Sequence, residues 1–493
     1  MRISPISDQS VSVPDLTRRD LLLRSGGGLG AIALAWLLNQ EEGNANGLQD
    51  KVETRNNKQQ NRGLHHKARA KQVVQFFMSG AASQCDTFDY KPELIKNHGK
   101  PFNPGGKIEL FQSSPGAVMK SPWQWKQYGK SGKWVSDLLP HLATCVDDMA
   151  FLPAMKSKSN VHGPATFLQA TGFVMPGFPG MGAWVSYGLG RLSDNLPTFV
   201  VLPDSRGFAP NGPANWSNGF LPAQHQGTIV RPTAKVPILD LYPPFDSGID
   251  RSIDQQTQEL LAKWNLRHQQ SREGDSRLSA RISSYELAAK MQIAAPEVMD
   301  ISKEPASVKK EYGLDQKETE EFGRNCLITR RLLQHGVRFV QLWCGADNGF
   351  PRRNWDSHEN IERDHGIMAK SMDQPIAALL QDLKRLGMLN DTVLHWTTEF
   401  GRMPCSQGSL GRDHNPDTFT NWLAGGGIKG GIVHGSSDDW SFRAEDKITT
   451  GYDVHATILW LLGIDHTKLT FRHNGIDRRL TDVHGEVIEE LFT

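Results

Sequence analysis

Beyond Leu38 this chain of 493 residues contains no long apolar run, so nothing past its first segment is fit to span a bilayer. Charge of one sign is also lacking. The formal net charge of +1 gives no electrostatic reason to expect nucleic acid as a partner. Cysteine is sparse: Cys85, Cys145, Cys326, Cys344 and Cys405 stand far apart with no CxxC spacing. That excludes a disulfide framework and a zinc ribbon, and leaves a soft metal site or a redox role as minor alternatives. No internal repeat is present, which excludes a solenoid or propeller. With 38% apolar and 22% charged residues the composition is that of a globular protein rather than a disordered one. Tryptophan is plentiful at 13, and Trp123, Trp125, Trp216, Trp355 and Trp440 fall in Gly/Pro-rich stretches. They read either as packing under long loops or as a carbohydrate-binding face.

The first residues carry a targeting pattern. Arg18-Arg19 precedes Leu21-Leu22-Leu23 and a mild Gly/Ala-rich apolar run from Leu29 to Leu38. That run is too short to span comfortably and fits the h-region of a signal, and the paired arginines resemble a twin-arginine export signal. Ala45-Asn46-Gly47 is a poor cleavage site, so a retained anchor stays open. The expectation is a signal segment over 1–45, a polar linker over 46–70 and one domain over 71–493. The partners expected at this end are the twin-arginine export machinery, with a periplasmic or secreted destination.

Folded sequence begins with Gln72–Met78, an apolar strand running into Ser79-Gly80-Ala81-Ala82-Ser83-Gln84-Cys85-Asp86. Helical spacing is expected over Asp137–Ala150, and Pro164 suits the first turn of a helix starting near His162. A strand is expected at Thr198–Leu202, and two amphipathic helices at Asp254–Gln270 and Arg277–Ala294. From Asp315 onward helix and strand alternate: Glu318–His335, Arg338–Trp343, Gly366–Leu386, then 392–398. Short strands near Trp422 and Ile432 follow, with helices at Asp453–Leu462 and His484–Phe492. Alternation of this kind means crossover connections and a mostly parallel sheet covered on both faces, an α/β fold.

Three of these strands run into acids. The first leads to Asp86, with Asp89 behind it. The second leads past Asp347 to Asn354-Trp355-Asp356-Ser357-His358, and the third to Glu399 and then Asp413-His414. In a parallel sheet the C-terminal ends share one edge, so the loops can converge. Converging carboxylates are costly to bury unless a cation neutralises them. Asp86, Asp356, His358, Glu399 and His414 are therefore among the candidates for a shared divalent-metal site, with Zn, Mn, Ca or Mg all compatible with such donors. The plainer alternative is an Asp that caps a turn and a Glu that pairs with Arg402.

The combination of MSGAASQCDTFDYKPEL, HGPATFLQATG, GMGAWVSYGLG, NWDSH, TTEFGR, GRDHNP, LAGGGIKGG and YDVHATILWLLGIDH with RLTDVHG resembles the DUF1501 family of exported bacterial proteins, over roughly residues 70 to 493. That resemblance implies the fold of the alkaline phosphatase and sulfatase superfamily, a three-layer α/β sandwich. It also implies a departure at the reacting centre. His162 takes the place of the superfamily's Cys or Ser nucleophile, Thr166 that of its arginine, and Phe400 that of a histidine ligand. A histidine cannot become formylglycine. Either His162 itself acts as nucleophile or ligand, or Thr166 supplies a hydroxyl, or the fold binds without turnover. The resulting expectation is an exported, metal-dependent hydrolase of an anionic phosphate or sulfate ester, small or on a polysaccharide. Arg402 or Arg412 would contact the substrate anion, because guanidinium matches tetrahedral oxyanions. The alternative is an inactive exported protein that binds a glycan or envelope component.

Overall fold

The computed structural model describes residues 63–492, apart from short gaps at 107, 109, 111–113, 240, 242–250, 271, 273–275 and 348–352. The signal pattern and most of the linker lie outside the described residues. The chain divides into two compact units. The larger takes Val52–Ile238 and Lys290–Thr493 and holds the whole sheet, and the smaller includes Leu239–Ala289.

The strands are β1 (Gln72–Met78), β2 (Trp125–Tyr128), β3 (Lys133–Ser136), β4 (Met149–Lys156), β5 (Phe199–Leu202), β6 (Thr228–Ile229), β7 (Phe339–Cys344), β8 (Thr392–Thr397), β9 (Gly401–Arg402), β10 (His414–Asn415), β11 (Phe419–Ala424) and β12 (Ile432–Val433). The principal helices are α1 (His162–Thr171), α2 (Met181–Leu189), α3 (Arg251–Gln270), α4 (Ser276–Met299), α5 (Glu320–Gln334), α6 (Ile361–Arg385) and α7 (Gly451–Leu461). Among the described residues no helix is long and apolar enough to cross a membrane.

The main sheet runs β12-β4-β11-β8-β1-β7-β5-β6, with Thr449–Thr450 added beside β4. β1 pairs in parallel with β7 and β8, and β5 pairs in parallel with β7 and β6. β11 is antiparallel to both β8 and β4, which leaves β4 parallel to β8. The expected α/β architecture with a mostly parallel sheet is therefore observed. Every residue of β1 is buried. A strand covered on both faces has no polar side to alternate with, so its sequence reads as one apolar run. Val73 and Phe77 join Trp343, Trp184 of α2 and Ile458 of α7 in one core layer. Successive side chains of a strand point to opposite faces. On the other face Gln72 donates to the Leu333 and Val337 carbonyls at the end of α5, and Cys344 lies 3.9 Å from Ser371 of α6. Helices thus cover both faces.

Three expectations are corrected. The helix expected over Asp137–Ala150 is a 3-10 segment, Leu142–Asp148, that hands over to β4. Pro153 hides this strand, since proline cannot donate to a ladder; the β4–β11 register shifts between Phe419 and Asn421, where the Pro153 carbonyl accepts from the Thr418 hydroxyl. The last helix, expected over His484–Phe492, is only the 3-10 turn Glu489–Leu491. α6 starts at Ile361 rather than Gly366, because the Asn360 side chain caps it by accepting from Arg363 N–H.

Candidate metal centre

The C-terminal ends of β1, β4, β7 and β8 lie along one edge of the sheet, and each delivers part of the site. β4 leads through Ser157–Val161 to His162, the first residue of α1, where Pro164 falls among first-turn positions whose N–H has no helical partner. β7 leads to Asp356 and His358. β8 ends just before Glu399, and the loop that follows returns His414 on β10, paired with Arg402 on β9.

Four of these side chains converge. His162, Asp356, His358 and His414 each offer one ligand atom, all within 4.8 Å of one another. Asp356 Oδ1 lies 2.9 Å from His358 Nε2, 3.3 Å from His162 Nε2 and 3.4 Å from His414 Nε2. The Nε2 atoms of His358 and His414 are 3.0 Å apart. The other ring nitrogen of every histidine is already engaged. His162 Nδ1 donates to Glu399 Oε1 at 2.6 Å, His358 Nδ1 to Gln407 Oε1 at 2.5 Å, and His414 Nδ1 to the Asn160 carbonyl at 2.6 Å. With one proton held on Nδ1, each ring turns Nε2 inward, where a neutral ring offers a lone pair; His162, held protonated by its two carboxylates, would give up its Nε2 proton to an incoming ion. The Asp356 oxygen they face already meets Arg402 Nη2 at 2.6 Å, and the three inward nitrogens with that oxygen form a donor set of the kind a divalent cation takes. Buried His162 Nε2 meets no hydrogen-bond partner of acceptable geometry.

The ionisable groups here act strongly on one another. Burial by itself would lower the His162 pKa, but the Asp356 and Glu399 carboxylates outweigh it and hold it up at about 9. His414 is pushed down to about 4, first by burial and then by the Arg402 and His162 charges, against the pull of Asp356. Burial raises the Asp356 pKa, yet Arg402 and the three histidines hold the carboxyl far below its usual range. Glu399, also buried, is kept ionised by His162 and by the Gly80 N–H at 2.8 Å. Phe400, at the position where the resemblance implies a ligand histidine, is a wall instead. Its ring centre lies 4.9 Å from that of His162 and 4.7 Å from that of His414.

The remaining expected site residues are placed elsewhere. Asp86, expected among the ligands, is fully buried and receives Arg412 Nε at 2.8 Å, Arg412 Nη2 at 3.1 Å and the Ser83 hydroxyl at 2.5 Å. Glu399 supports His162 rather than joining the four. Arg402 and Arg412, expected at a substrate anion, are fully buried and saturated with partners. Arg402 donates to Asp356 Oδ1 at 2.6 Å and to the carbonyls of Gly80, Ala81 and Arg412. Arg412 spends its other donors on the Met403 and Met119 carbonyls. Neither guanidinium has surface to offer an incoming anion. Thr166 is likewise buried, its hydroxyl without a partner, and lies outside the four converging residues.

Two supports carry no motif of their own. Gln407 and the Asn160 carbonyl are identified only by what they hold. His365, a buried histidine, is a third support: its Nε2 accepts from Ser83 N–H and its Nδ1 donates to Ser357, so it fixes the two loops that flank the site.

The donor set of three imidazoles and one carboxylate fits Zn²⁺ or a similar borderline ion better than Ca²⁺ or Mg²⁺, which favour all-oxygen sites. Asp356 and His414 are almost wholly covered, whereas the His162 and His358 side chains keep 12% and 17% of their surface. The cluster therefore reaches solvent on the side of those two rings.

Among curated protein sequences none matches significantly. Solved structures with distant likeness include the lipoteichoic acid synthase LtaP from Listeria monocytogenes, at 10% identity over 82% of this chain and 76% of that one, with a TM-score of 0.36. The C-terminal periplasmic domain of EcEptC from Escherichia coli, in complex with Zn, is 8% identical over 82% and 86%, with a TM-score of 0.33. Alkaline phosphatase from the Antarctic bacterium TAB5 is 11% identical over 80% and 98%, with a TM-score of 0.32. Likeness at this level bears on neither activity nor site residues. The family match is of another order: residues 70–492 fit the model described as "Protein of unknown function (DUF1501)", and the chain belongs to that family.

Proposed function

We propose that this protein is an exported, metal-dependent hydrolase of an anionic ester, phosphate or sulfate, with His162, Asp356, His358 and His414 holding one divalent ion. One observation carries the reading. Three histidines commit Nδ1 to separate acceptors and turn Nε2 toward a single carboxylate oxygen. Such outer acceptors set ring orientation and tautomer in metal sites, and nothing in a purely structural cluster requires all three.

When bound, a divalent ion in this set supplies Lewis acidity and lowers the pKa of a coordinated water. The chain's own residues do the rest. α1 begins at His162 with no side-chain cap, so its first N–H groups and its dipole favour an anion on the open side of the cluster. Arg402 neutralises Asp356 through the same Oδ1 that faces the histidines, and Phe400 packs against the His162 and His414 rings. With Thr166 buried and no cysteine or serine at position 162, the attacking group is water rather than a side-chain hydroxyl. The Arg18-Arg19 pattern supports export in the folded, loaded state.

The experiment is metal analysis of protein expressed in metal-replete medium, with turnover of aryl phosphate and aryl sulfate. The expected result is one ion per chain, lost on His414→Ala or His162→Ala together with all turnover. A stable wild-type fold without stoichiometric metal would overturn the reading. Stoichiometric metal with no turnover of either ester would favour the alternative, a binding protein on the same scaffold.

A further inference from the structure

Away from the candidate metal centre lies a cation that forms no direct ion pair among the described residues. Lys133 opens β3, and its ammonium sits 4.6 Å from the centre of the Phe151 ring. Among the described residues it makes no hydrogen bond or ion pair. The carboxylate that faces it, Asp89, is already occupied: Oδ2 accepts from the Ser441 and Ser437 hydroxyls, and Oδ1 lies 3.4 Å from Lys91 Nζ. One acid therefore stands against two lysines. Lys133 and Asp89 line a cavity of about 270 Å³ together with Tyr90, Ser131, Trp134 and Phe151. Tyr90 and Trp134 stack at 4.2 Å along one wall, both half-buried.

We infer that this cavity is a binding site for an acidic sugar, a monosaccharide unit bearing one sulfate or carboxylate. A half-buried lysine that packs on a ring face and shares one already engaged carboxylate with Lys91 is stabilised by a ligand anion brought into the same pocket. Burial already presses its pKa down to about 8 against the pull of Asp89, with Lys91 pressing in the same direction. The stacked aromatic pair offers an apolar wall of the kind sugar C–H faces pack on, and the volume suits one ring rather than a chain. Phe151 stands five residues before Lys156, the end of β4. About 16 Å of strand thus separate it from the sheet edge that carries the metal cluster. The site is distinct from that cluster, and its occupant does not depend on the hydrolase reading.

Calorimetric titration of galactose 6-sulfate, galactose and sodium sulfate into the full chain tests it. The sulfated sugar is expected to bind at least tenfold more tightly than either galactose or sulfate alone. Lys133→Met and Trp134→Ala should each weaken it tenfold or more, and His414→Ala should leave it unchanged. Protection of Lys133 from reductive methylation by the sulfated sugar, read by peptide mass spectrometry, gives a measurement that needs no variant. Absence of binding, equal binding to Lys133→Met, or sulfate alone binding as well as the sugar would overturn the assignment.

Discussion

Glu399 has no solvent contact, and the role of its side chain is to keep one proton on His162 Nδ1. Glu399→Gln preserves the acceptor and removes the charge, so the ring stays placed while its basicity drops. The expected outcome is a loss of metal affinity of roughly 10- to 100-fold, measured by competition with a chelator, with the fold intact. Arg412 has a different task. Its fully buried pair with Asp86 is bidentate, and removing one partner strands the other charge. Arg412→Met should cost about 3–5 kcal/mol in denaturant unfolding. Burial raises the Asp86 pKa, but Arg412 outweighs it and leaves the folded value below the unfolded one. That stabilisation is full above an unfolded pKa of about 3.9 and is lost as pH falls through the folded value, so the gap between wild type and variant should narrow below about pH 4. Asp86 and Asp356 look alike in sequence, each an acid soon after an apolar strand. Only the chain's return path distinguishes them: Arg412 arrives at one, three histidines at the other. Such long-range pairing leaves no local signature. Phe400 was legible as a departure from the family pattern, and its function as a wall was not.

At the scale of elements, the segment joining β1 to the site is governed by close approach. Gly80 has φ +106°, and a Cβ there would stand 2.6 Å from the backbone nitrogens of both Trp355 and Asp356. Gly80→Ala would push the Asp356 loop away while leaving every ligand chemically present. The expected result is a folded protein with metal content at least tenfold reduced, checked by circular dichroism beside elemental analysis; unchanged content would show that the loop position is not critical. β1, β7 and β8 were legible because doubly covered strands are continuous apolar runs between glycine-marked turns. β4 was not, because Pro153 reads against a strand and the ladder irregularity that accommodates it is invisible until β11 is beside it. The start of α1 at His162 was legible from Pro164.

For the molecule as a whole, the two sites differ in what controls them. Binding at Lys133 needs the ammonium, whose pKa of about 8 lies below that of a free lysine. Affinity for an anionic sugar should be constant below pH 7 and fall by about tenfold per unit well above pH 8, followed by titration calorimetry across that range. A lysine whose folded pKa is lowered binds fewer protons folded than unfolded between the two values, so it disfavours the folded state at neutral pH. Lys133→Met should accordingly unfold at the same temperature as wild type or a few degrees higher, seen by scanning calorimetry, while losing the ligand.

The residues around the metal cluster come from distant parts of the chain. His162 waits on Glu399, His358 on Gln407, and His414 on Asn160. No stretch of the polypeptide shorter than the span from Asn160 to His414 owns a complete set, and the rings are not aimed until β4, β7 and β8 are seated in one sheet. Contacts this far apart in sequence form late, after loop closure has been met. If the cluster holds an ion as proposed, capture would require that these distant segments have already folded together, since a chain stalled before His414 or misthreaded has only a partial site. Loading of the proposed site would then follow folding rather than precede it.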